Sequence, residues 1–378
     1  MGDYKSFAVT VIGGNHKKSD LPCQDASYGE GFKDPVVSIA VVADGHGDEN
    51  CFRSDRGADF AVRCAKNGMY NFVKDNNALF TKSLLSYSKK NPSPSNGEFK
   101  KIIREKLIEY IVRSWNMCVV EDFEKNPFTE EELEKVSEKY RERYKNGESI
   151  TKAYGTSLIA AAITPHYWFG FHIGDGRLTA LYPDGTFDQP VPWDEKCYLN
   201  VTTSICDDDI LIREDGVRMH LSFHIDKPAP AAIFLCTDGV DDNYPVQGNE
   251  KHLFKLYRTI ALSFAENFVL TKQQLKELAD AFATKGKGDD TSIAGFVDPQ
   301  RLKQAAPHWQ KQIAAEEAEA EAAKKAAVEA ALVEAAPVEN PAEEAEPETH
   351  SALNREQGIA AYKKTLEGLS TFVKRSET

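Results

Sequence analysis

Apolar runs and helical stripes divide the first 300 residues of the chain into strand-rich and helix-rich blocks. Runs of Val, Ile, Phe and Ala predict strands over 6–12, 36–43, 157–163, 166–173, 178–182, 232–237 and 291–297. Apolar residues at spacings of three and four predict helices over 51–73, 98–124, 130–148, 250–267 and 271–284. The links at 165–166 and 174–177 are too short for parallel crossovers and predict antiparallel hairpins. This order predicts an α+β fold, in which a central antiparallel β-sandwich is flanked by helical pairs.

The composition changes after about residue 300, and this change predicts three regions. They are a folded domain over 1–300, an Ala/Glu-rich helix with an acidic disordered linker over 301–354, and an amphipathic helix over 355–378. The last region carries an apolar stripe at Ile359, Tyr362, Leu366, Leu369 and Phe372. This helix either docks on the domain or binds a protein partner from a flexible tether, and the sequence does not separate the two.

Composition and charge narrow the class of protein. Hydrophobic residues make up 41% of the 378 residues and charged residues 28%, which is typical of a globular chain. The net charge of −13 argues against binding of nucleic acid. Seven scattered cysteines without a CxxC motif favour reduced thiols over disulfides or zinc. No apolar stretch approaches ~18 residues and no secretory signal is visible, so we expect a cytoplasmic protein without a membrane span.

Four aspartates stand at the ends of the most apolar strand-like runs. Asp44, Asp175 and Asp238 each close such a run and precede a glycine, whereas Asp289 opens the last one. Carboxylates at strand ends leave the core and meet at a sheet rim, where like charges must share protons or cations. Oxygen ligands without a His/Cys cluster favour Mg²⁺ or Mn²⁺ over zinc. The pattern therefore predicts a hydrolytic site with two metal ions at one sheet rim, a kind of site that typically acts on phosphate esters.

Six short motifs occur in a fixed order between residues 6 and 298. They are Gln24-Asp25, DGHG at 44–47, GTS at 155–157, GDGR at 174–177, TDG at 237–239 and DDTS at 289–292. Each motif alone is common, but the series resembles the metal-dependent protein phosphatases, the type 2C serine/threonine phosphatases, in their bacterial-type branch. The resemblance implies hydrolysis of phosphoserine and phosphothreonine in phosphoprotein substrates, by a water that two Mg²⁺ or Mn²⁺ ions activate.

The resemblance also implies a role for each motif residue. Asp44 would bridge the two metals with help from the Gly45 carbonyl, and Asp238 and Asp289 would hold the second metal with it. Asp25 would orient metal-bound waters. His46 is the candidate general acid for the leaving alkoxide, since an unperturbed imidazole titrates in the useful range.

Two further positions belong to the same comparison. Asp175, together with Asp242, would hold a weaker third ion alongside Asp238. Thr156 either supports the site or simply begins its strand, and the two interpretations have equal weight.

Two departures from the family pattern affect substrate binding more than the metal site. Gln24 replaces the usual Glu, and an amide still hydrogen-bonds a water but brings no charge. The usual phosphate-binding Arg is absent, and the loop carries His16, Lys17 and Lys18 instead. Arg53 or Arg56 could also reach in from the next helix, so the phosphate contact stays open among these side chains.

Two functions fit these motifs. The first is an active phosphatase, and the alternative is a catalytically weak pseudophosphatase that serves as a regulatory binding module. Pseudoenzymes tend to lose metal ligands, whereas Asp25, Asp44, Asp238 and Asp289 are all present here. The sequence therefore favours activity.

Overall fold

Two five-stranded antiparallel sheets form the centre of the protein. The computed structural model describes residues 3–85, 96–192, 194, 197, 202–245 and 248–334. The first sheet has the spatial order β1 (Lys5–Val11), β10 (Thr291–Val297), β9 (Ala232–Cys236), β6 (Arg177–Leu181) and β7 (Phe187–Asp188). The second has the order β2 (Asp25–Lys33), β3 (Val36–Asp44), β4 (Leu158–Ile163), β5 (Tyr167–Ile173) and β8 (Arg218–Phe223). The predicted α+β class with a central antiparallel sandwich is confirmed.

Helices cover the outer faces of both sheets. Along the chain they are α1 (Gly14–Ser19), α2 (Ser54–Leu85), α3 (Asn96–Ile102), a π-helix (Ile103–Ile108), α4 (Glu109–Lys125), α5 (Glu130–Glu134), α6 (Glu138–Lys145), a 3₁₀-helix (Ile150–Tyr154), α7 (Asp238–Asp241), α8 (Asn249–Glu266), α9 (Phe268–Lys285) and α10 (Pro299–Glu334). α2 and α4 pack on the second sheet, and α8, α9 and the start of α10 pack on the first. Within the described residues, no helix is both long and apolar enough to span a membrane.

The continuous apolar sequence of β3 follows from burial on both of its faces. Val42 belongs to the core between the two sheets, where it packs with residues such as Leu235. Its neighbour Val41 points the other way, into the core beneath α2 and α4. Because side chains alternate along a strand, a strand covered on both faces needs apolar residues at every position.

The strand β2 escaped the sequence prediction, which placed no strand between residues 12 and 36. β2 pairs only with β3 and forms an edge of the second sheet. Its sequence, DASYGEGFK, is mostly half-buried or exposed and contains two glycines. An edge strand needs no continuous apolar run, so this strand gave no signal in the apolar pattern.

The predicted hairpin at 174–177 is wrong. β5 pairs with β4 and β8 in the second sheet, whereas β6 pairs with β9 and β7 in the first. The GDGR turn therefore carries the chain from one sheet to the other. Gly174 and Gly176 adopt φ values of 97° and 81°, a region that favours glycine over residues with a side chain. The hairpin predicted at 165–166 is confirmed by the antiparallel pairing of β4 with β5.

The helix predicted over 130–148 is two short helices, α5 and α6. Thr129 begins α5 with a capping box, in which its hydroxyl accepts from the N–H of Glu132 and the Glu132 carboxylate accepts in return. The chain leaves the helical path before Ser137, and α6 then ends ahead of Gly147, whose φ is 72°.

α10 crosses the boundary predicted at residue 300. Leu302, Ala305 and Trp309 are fully buried in the core that α8 and α9 form on the first sheet. The indole N–H of Trp309 donates to the carbonyl of Gly185 at 3.1 Å. The first turns of this helix are therefore part of the folded domain. The predicted linker beyond 334 and the predicted helix over 355–378 lie outside the described residues.

Candidate active site

Both sheets bring aspartates to one end of the sandwich. β2 begins at Asp25 and β3 ends at Asp44, and the two residues are direct partners in the antiparallel register. In the other sheet, β9 is followed by Thr237 and Asp238. The hydroxyl of Thr237 donates to Oδ2 of Asp25 at 2.8 Å, so a hydrogen bond joins the two sheets at this point.

Burial and mutual repulsion raise the pKa values of these carboxyl groups. The pKa of Asp44 lies well above its usual range because the group is buried and because Asp238, Asp25 and Asp175 lie nearby. A hydrogen bond also links the Asp44 and Asp238 carboxyls. Burial raises the pKa of Asp238 as well, and the charges of Asp175 and Asp289 add to the effect. The structure therefore brings all five predicted acids into one cluster, which we call the acid cluster: Asp25, Asp44, Asp175, Asp238 and Asp289.

The acid cluster fits a hard divalent cation by its donor chemistry. Its ligand atoms are carboxylate oxygens, which Mg²⁺ and Mn²⁺ prefer. Oδ1 of Asp25 is buried without a hydrogen-bond partner among the described residues, an arrangement that is costly unless a cation or a water completes it. In the described part of the chain, no three His, Cys, Asp or Glu side chains are already gathered as a metal-binding group. The fit therefore rests on the donor set and on the unpaired oxygen.

The GTS motif holds the backbone of Asp44. The hydroxyl of Thr156 donates to the Asp44 carbonyl at 2.7 Å, and the N–H of Ser157 donates to the same oxygen at 2.8 Å. In return, the N–H of Asp44 donates to Oγ of Ser157 at 3.2 Å. Thr156 thus supports the site, and Ser157 is a supporting residue that the sequence analysis did not single out.

Gly45 lies where no larger residue fits. A Cβ at this position would lie 2.7 Å from the carbonyl oxygens of Gln24 and Ser54. The N–H of Gly45 donates to the Gln24 carbonyl at 3.0 Å. The glycine therefore allows the loop after β3 to pass close to the start of β2, which keeps Asp25 and Asp44 together.

His46 follows Asp44 and Gly45 in the DGHG loop. Its N–H donates to the carbonyl of Gly155 at 3.1 Å, and Nε2 is buried without a partner among the described residues. Burial, together with the charge of Lys152, lowers the pKa of His46 to about 4. The imidazole is therefore neutral at pH 7 in the free protein. A bound phosphate dianion would raise its pKa, because an opposite charge favours the protonated form.

The predicted phosphate contacts in the first loop have other partners. Nδ1 of His16, in α1, lies 2.9 Å from Oδ2 of Asp290. Asp290 also accepts from the N–H groups of Gly13 and Gln24, at 2.6 and 2.5 Å. Nζ of Lys17 lies 3.8 Å from Asp280 in α9, with both side chains largely exposed. His16 and Asp290 therefore fix the loop that precedes β2.

Lys18 is exposed at the surface of α1. Nothing else in the structure relates it to the acid cluster.

Arg53 does not make the predicted phosphate contact, because it is buried in an ion pair. Its guanidinium bonds both carboxylate oxygens of Glu132, at 2.8 and 2.9 Å, and donates to the hydroxyl of Tyr154 and to the carbonyls of Asn126 and Pro127. These contacts use Nε and both terminal nitrogens, so no part of the fork remains for a phosphate.

Arg56 is also paired, with Asp122 at 2.9 Å. Both arginines therefore anchor the α4–α6 region to the start of α2.

The acids proposed for a third ion lie at the edge of the cluster. Oδ2 of Asp175 accepts from the hydroxyl of Thr202 at 2.8 Å, and Asp242 pairs with Lys287 at 2.9 Å. Sequence reasoning missed Asp241, which forms a buried ion pair with Arg177 of the GDGR turn at 2.8 Å. Burial raises the pKa of Asp241 to about 7, although Arg177 opposes the shift.

Solved structures that resemble the chain include a variant of a bacterial serine phosphatase (12% identity, TM-score 0.45, 79% of this chain and 100% of the other). The serine/threonine phosphatase Stp1 from Staphylococcus aureus is a second (12% identity, TM-score 0.43, 79% of this chain and 95% of the other). The catalytic domain of the serine/threonine protein phosphatase PstP in complex with two manganese ions is a third (16% identity, TM-score 0.42, 78% of this chain and 99% of the other). No curated protein sequence matches the chain.

A family model described as protein phosphatase 2C matches residues 12–280. This range is well over half of the 378 residues and contains Asp25, Asp44, Asp175 and Asp238. The chain therefore belongs to the protein phosphatase 2C family.

Proposed function

We propose that this protein hydrolyses phosphoserine and phosphothreonine in phosphoproteins and depends on two Mg²⁺ or Mn²⁺ ions. The observation that carries the proposal is the acid cluster, in which five carboxyl groups from both sheets meet at one end of the sandwich, with Asp25 buried, Asp44, Asp175 and Asp238 half-buried and Asp289 exposed. A fold gains nothing in stability from such a cluster, because buried like charges repel each other. Binding of cations offsets that cost, and the family to which the chain belongs supplies the reaction.

Each acid has a proposed position toward the cations. Asp44 and the Gly45 carbonyl would contact both ions, Asp238 and Asp289 would complete the second site, and Asp25 would orient water through its unpaired Oδ1. Asp175 would hold a weaker third ion. When bound, the cations would supply positive charge for the phosphate oxygens and would lower the pKa of a water to the neutral range.

His46 is proposed to donate a proton to the leaving oxygen. It lies two residues after Asp44, and the Gly155 carbonyl fixes its backbone. Because the imidazole is neutral in the free protein, it must take up a proton from solvent when the substrate binds, and the phosphate dianion favours this uptake by raising the pKa of the imidazole. In this proposal, the substrate itself prepares the acid that assists its departure.

The pseudophosphatase alternative has no observation in its favour. The acid cluster is complete, and the GTS motif and Gly45 support it as a functional site requires.

A panel of phosphoserine and phosphothreonine peptides tests the proposed function directly. We expect the full-length protein to release inorganic phosphate with Mn²⁺ or Mg²⁺ and to stop when a chelator is added. Absence of release with either ion, from a protein that melts cooperatively, would favour the pseudophosphatase.

We expect His46→Ala to slow phosphopeptide hydrolysis by ~10²–10⁴-fold and hydrolysis of p-nitrophenyl phosphate by much less. The reason is that a serine or threonine alkoxide needs a proton as it leaves, whereas an aryl oxide needs little help. Steady-state kinetics on both substrates measure the difference. Equal losses on the two substrates would instead assign His46 to a supporting role.

A further inference from the structure

The sequence analysis did not single out Lys152, a cationic residue whose backbone lies close to that of His46. Lys152 belongs to the 3₁₀-helix Ile150–Tyr154, and its carbonyl accepts the N–H of Gly155 at 3.1 Å. The carbonyl of Gly155 in turn accepts the N–H of His46 at 3.1 Å. Two consecutive hydrogen bonds therefore tie the backbone of Lys152 to the DGHG loop.

Three segments meet at Gly155. A Cβ on this glycine would lie 2.9 Å from Cδ2 of His46 and 3.3 Å from the Sγ atoms of both Cys51 and Cys206. The DGHG loop, the segment after it and the loop before β8 thus enclose one small region next to the acid cluster. In agreement with these backbone contacts, Lys152 is the charged group that acts most strongly on the His46 imidazole.

Among the described residues, Lys152 differs from His16, Lys17 and Arg53 in having no carboxylate partner, and it differs from Lys18 in being half-buried. Its side chain is half-buried, and among the described residues no Asp or Glu lies within ion-pair distance of it. By contrast His16, Lys17 and Arg53 each contact an acidic side chain, as reported above. Partial burial of an unpaired ammonium is unfavourable, so this arrangement suits a site that an anion completes.

Lys152 keeps its positive charge although its side chain is half-buried. The nearby Cys51 and Cys206 thiols, Tyr140 and Asp48 together raise the pKa of Lys152 despite the opposing effect of burial. The side chain is therefore cationic at neutral pH.

We propose that Lys152 binds the phosphoryl group of the substrate on the His46 side of the acid cluster, in the role of the absent family arginine. This assignment rests on the proposed function and deepens it. An ammonium group offers a point charge and not a planar fork, so the contact constrains the phosphate less than an arginine would. A cation near His46 also favours binding of the phosphate dianion, because opposite charges attract.

The test compares four variants of the full-length protein with Mn²⁺: Lys152→Gln, Lys152→Arg, Lys18→Gln and Lys135→Gln. Lys135 is a matched control, since it is exposed in the same α4–α6 region and lies 3.8 Å from Glu131. We expect Lys152→Gln to raise KM for a phosphothreonine peptide and the Kd of inorganic phosphate by ~10–100-fold, the range for a hydrogen bond to a charged group. kcat should change less, and Lys152→Arg should restore most of the affinity. Calorimetry with inorganic phosphate gives the Kd without any turnover.

Three results would overturn the assignment. Lys152→Gln could bind inorganic phosphate as tightly as the Lys135→Gln control. Lys18→Gln could show the loss in place of Lys152→Gln. The loss could also be confined to peptides with acidic residues beside the phosphothreonine, which would make Lys152 a contact for the peptide and not for the phosphate. If Lys152→Gln weakens phosphate binding but the wild type hydrolyses no phosphopeptide, the proposed function fails and the assignment of Lys152 stands.

Discussion

Replacement of Asp44 by Asn should reduce Mn²⁺-dependent phosphopeptide hydrolysis by ~10³-fold or more and leave the fold intact. The carboxyl of Asp44 interacts with those of Asp25, Asp175 and Asp238, and Asp44 ends β3 at the rim without filling the core. A bound metal contributes several kcal/mol of transition-state stabilisation, and each 1.36 kcal/mol corresponds to about tenfold in rate. Steady-state kinetics and Mn²⁺ calorimetry measure the two losses separately.

The same substitution should stabilise the protein when no metal is bound. The folded state raises the pKa values of Asp25, Asp44 and Asp238 above the value of about 3.9 in an unfolded chain. Below that value both states hold their protons, and the groups do not affect stability. As the pH rises above it, the unfolded chain ionises freely while the folded cluster resists, so the free energy of unfolding falls until the raised pKa values are passed.

Melting temperatures in the presence of a chelator check this expectation. As the pH rises above about 4, these groups should lower the melting temperature of the wild type, and Asp44→Asn should reduce that fall. Mn²⁺ should raise the melting temperature of the wild type much more than that of Asp44→Asn, since a ligand stabilises only the state that binds it. Asp59→Asn, an exposed change in α2, is the control. Full activity in Asp44→Asn, or an equal response to Mn²⁺, would contradict the two-metal proposal.

Much of the fold follows from the apolar pattern, because most strands of the sandwich are buried on both faces. β3, β4, β5, β9 and β10 are almost entirely buried and read as continuous apolar runs. The edge strand β2 has one neighbour and a half-exposed face, and it gave no such run. The apolar pattern also does not indicate which of the two sheets a strand belongs to. β5 and β6 are consecutive and closely linked, yet their pairing depends on β8 and β9, which come much later in the chain.

The shared rim of Asp44, Asp175 and Asp238 could be predicted because each of these acids is local to its own strand end, whereas Asp25 lies on the unpredicted strand β2 and was identified only by the family resemblance. A carboxylate next to a glycine at the end of a buried strand is visible without any knowledge of its partners. The residue that would contact the phosphate could not be predicted in this way, because the sequence around an arginine does not reveal which side chain it pairs with in the folded protein. Arg53 stands close to the DGHG loop in sequence, but Glu132 takes its guanidinium from 79 positions away. Lys152 lacks a motif of its own, and only its position against Gly155 and His46 singles it out.

At the end of the domain, the boundary near residue 300 was placed from the amino-acid composition, and the apolar stripe in the sequence that follows was not used. The Ala- and Glu-rich sequence after residue 300 suggested a helix outside the domain. Leu302, Ala305 and Trp309 nevertheless recur at spacings of three and four, and this stripe is the buried face of α10. Further along, Glu316 bonds both terminal nitrogens of Arg258, a nearly fully buried arginine in α8. The helix is therefore attached to the domain through at least Glu316.

A chain that ends at Gln300 should not fold stably, whereas a chain that ends at Ala323 should. The shorter chain loses the fully buried Trp309, and truncation of a buried Trp to Ala alone costs about 3–5 kcal/mol. It also leaves Arg258 buried without Glu316, and removal of one partner of a buried pair costs about the same again. Together these losses approach the whole stability of a typical domain, about 5–15 kcal/mol. The longer chain keeps every one of these contacts.

Thermal melting of the two truncated chains and of Trp309→Ala in the full-length protein tests this expectation. Trp309→Ala should lower the melting temperature strongly, and Ala306→Gly, a change on the same helix at a position only partly buried, is the milder control. The chain that ends at Ala323 should also keep the kcat/KM of the full-length protein, because we propose that the segment beyond it recruits a protein partner and leaves the acid cluster free. A large rise in kcat/KM on this truncation would show instead that the removed segment restrains the site. Equal stability of the two truncated chains would contradict the role of α10, because the buried indole and the Arg258–Glu316 pair are what distinguish them.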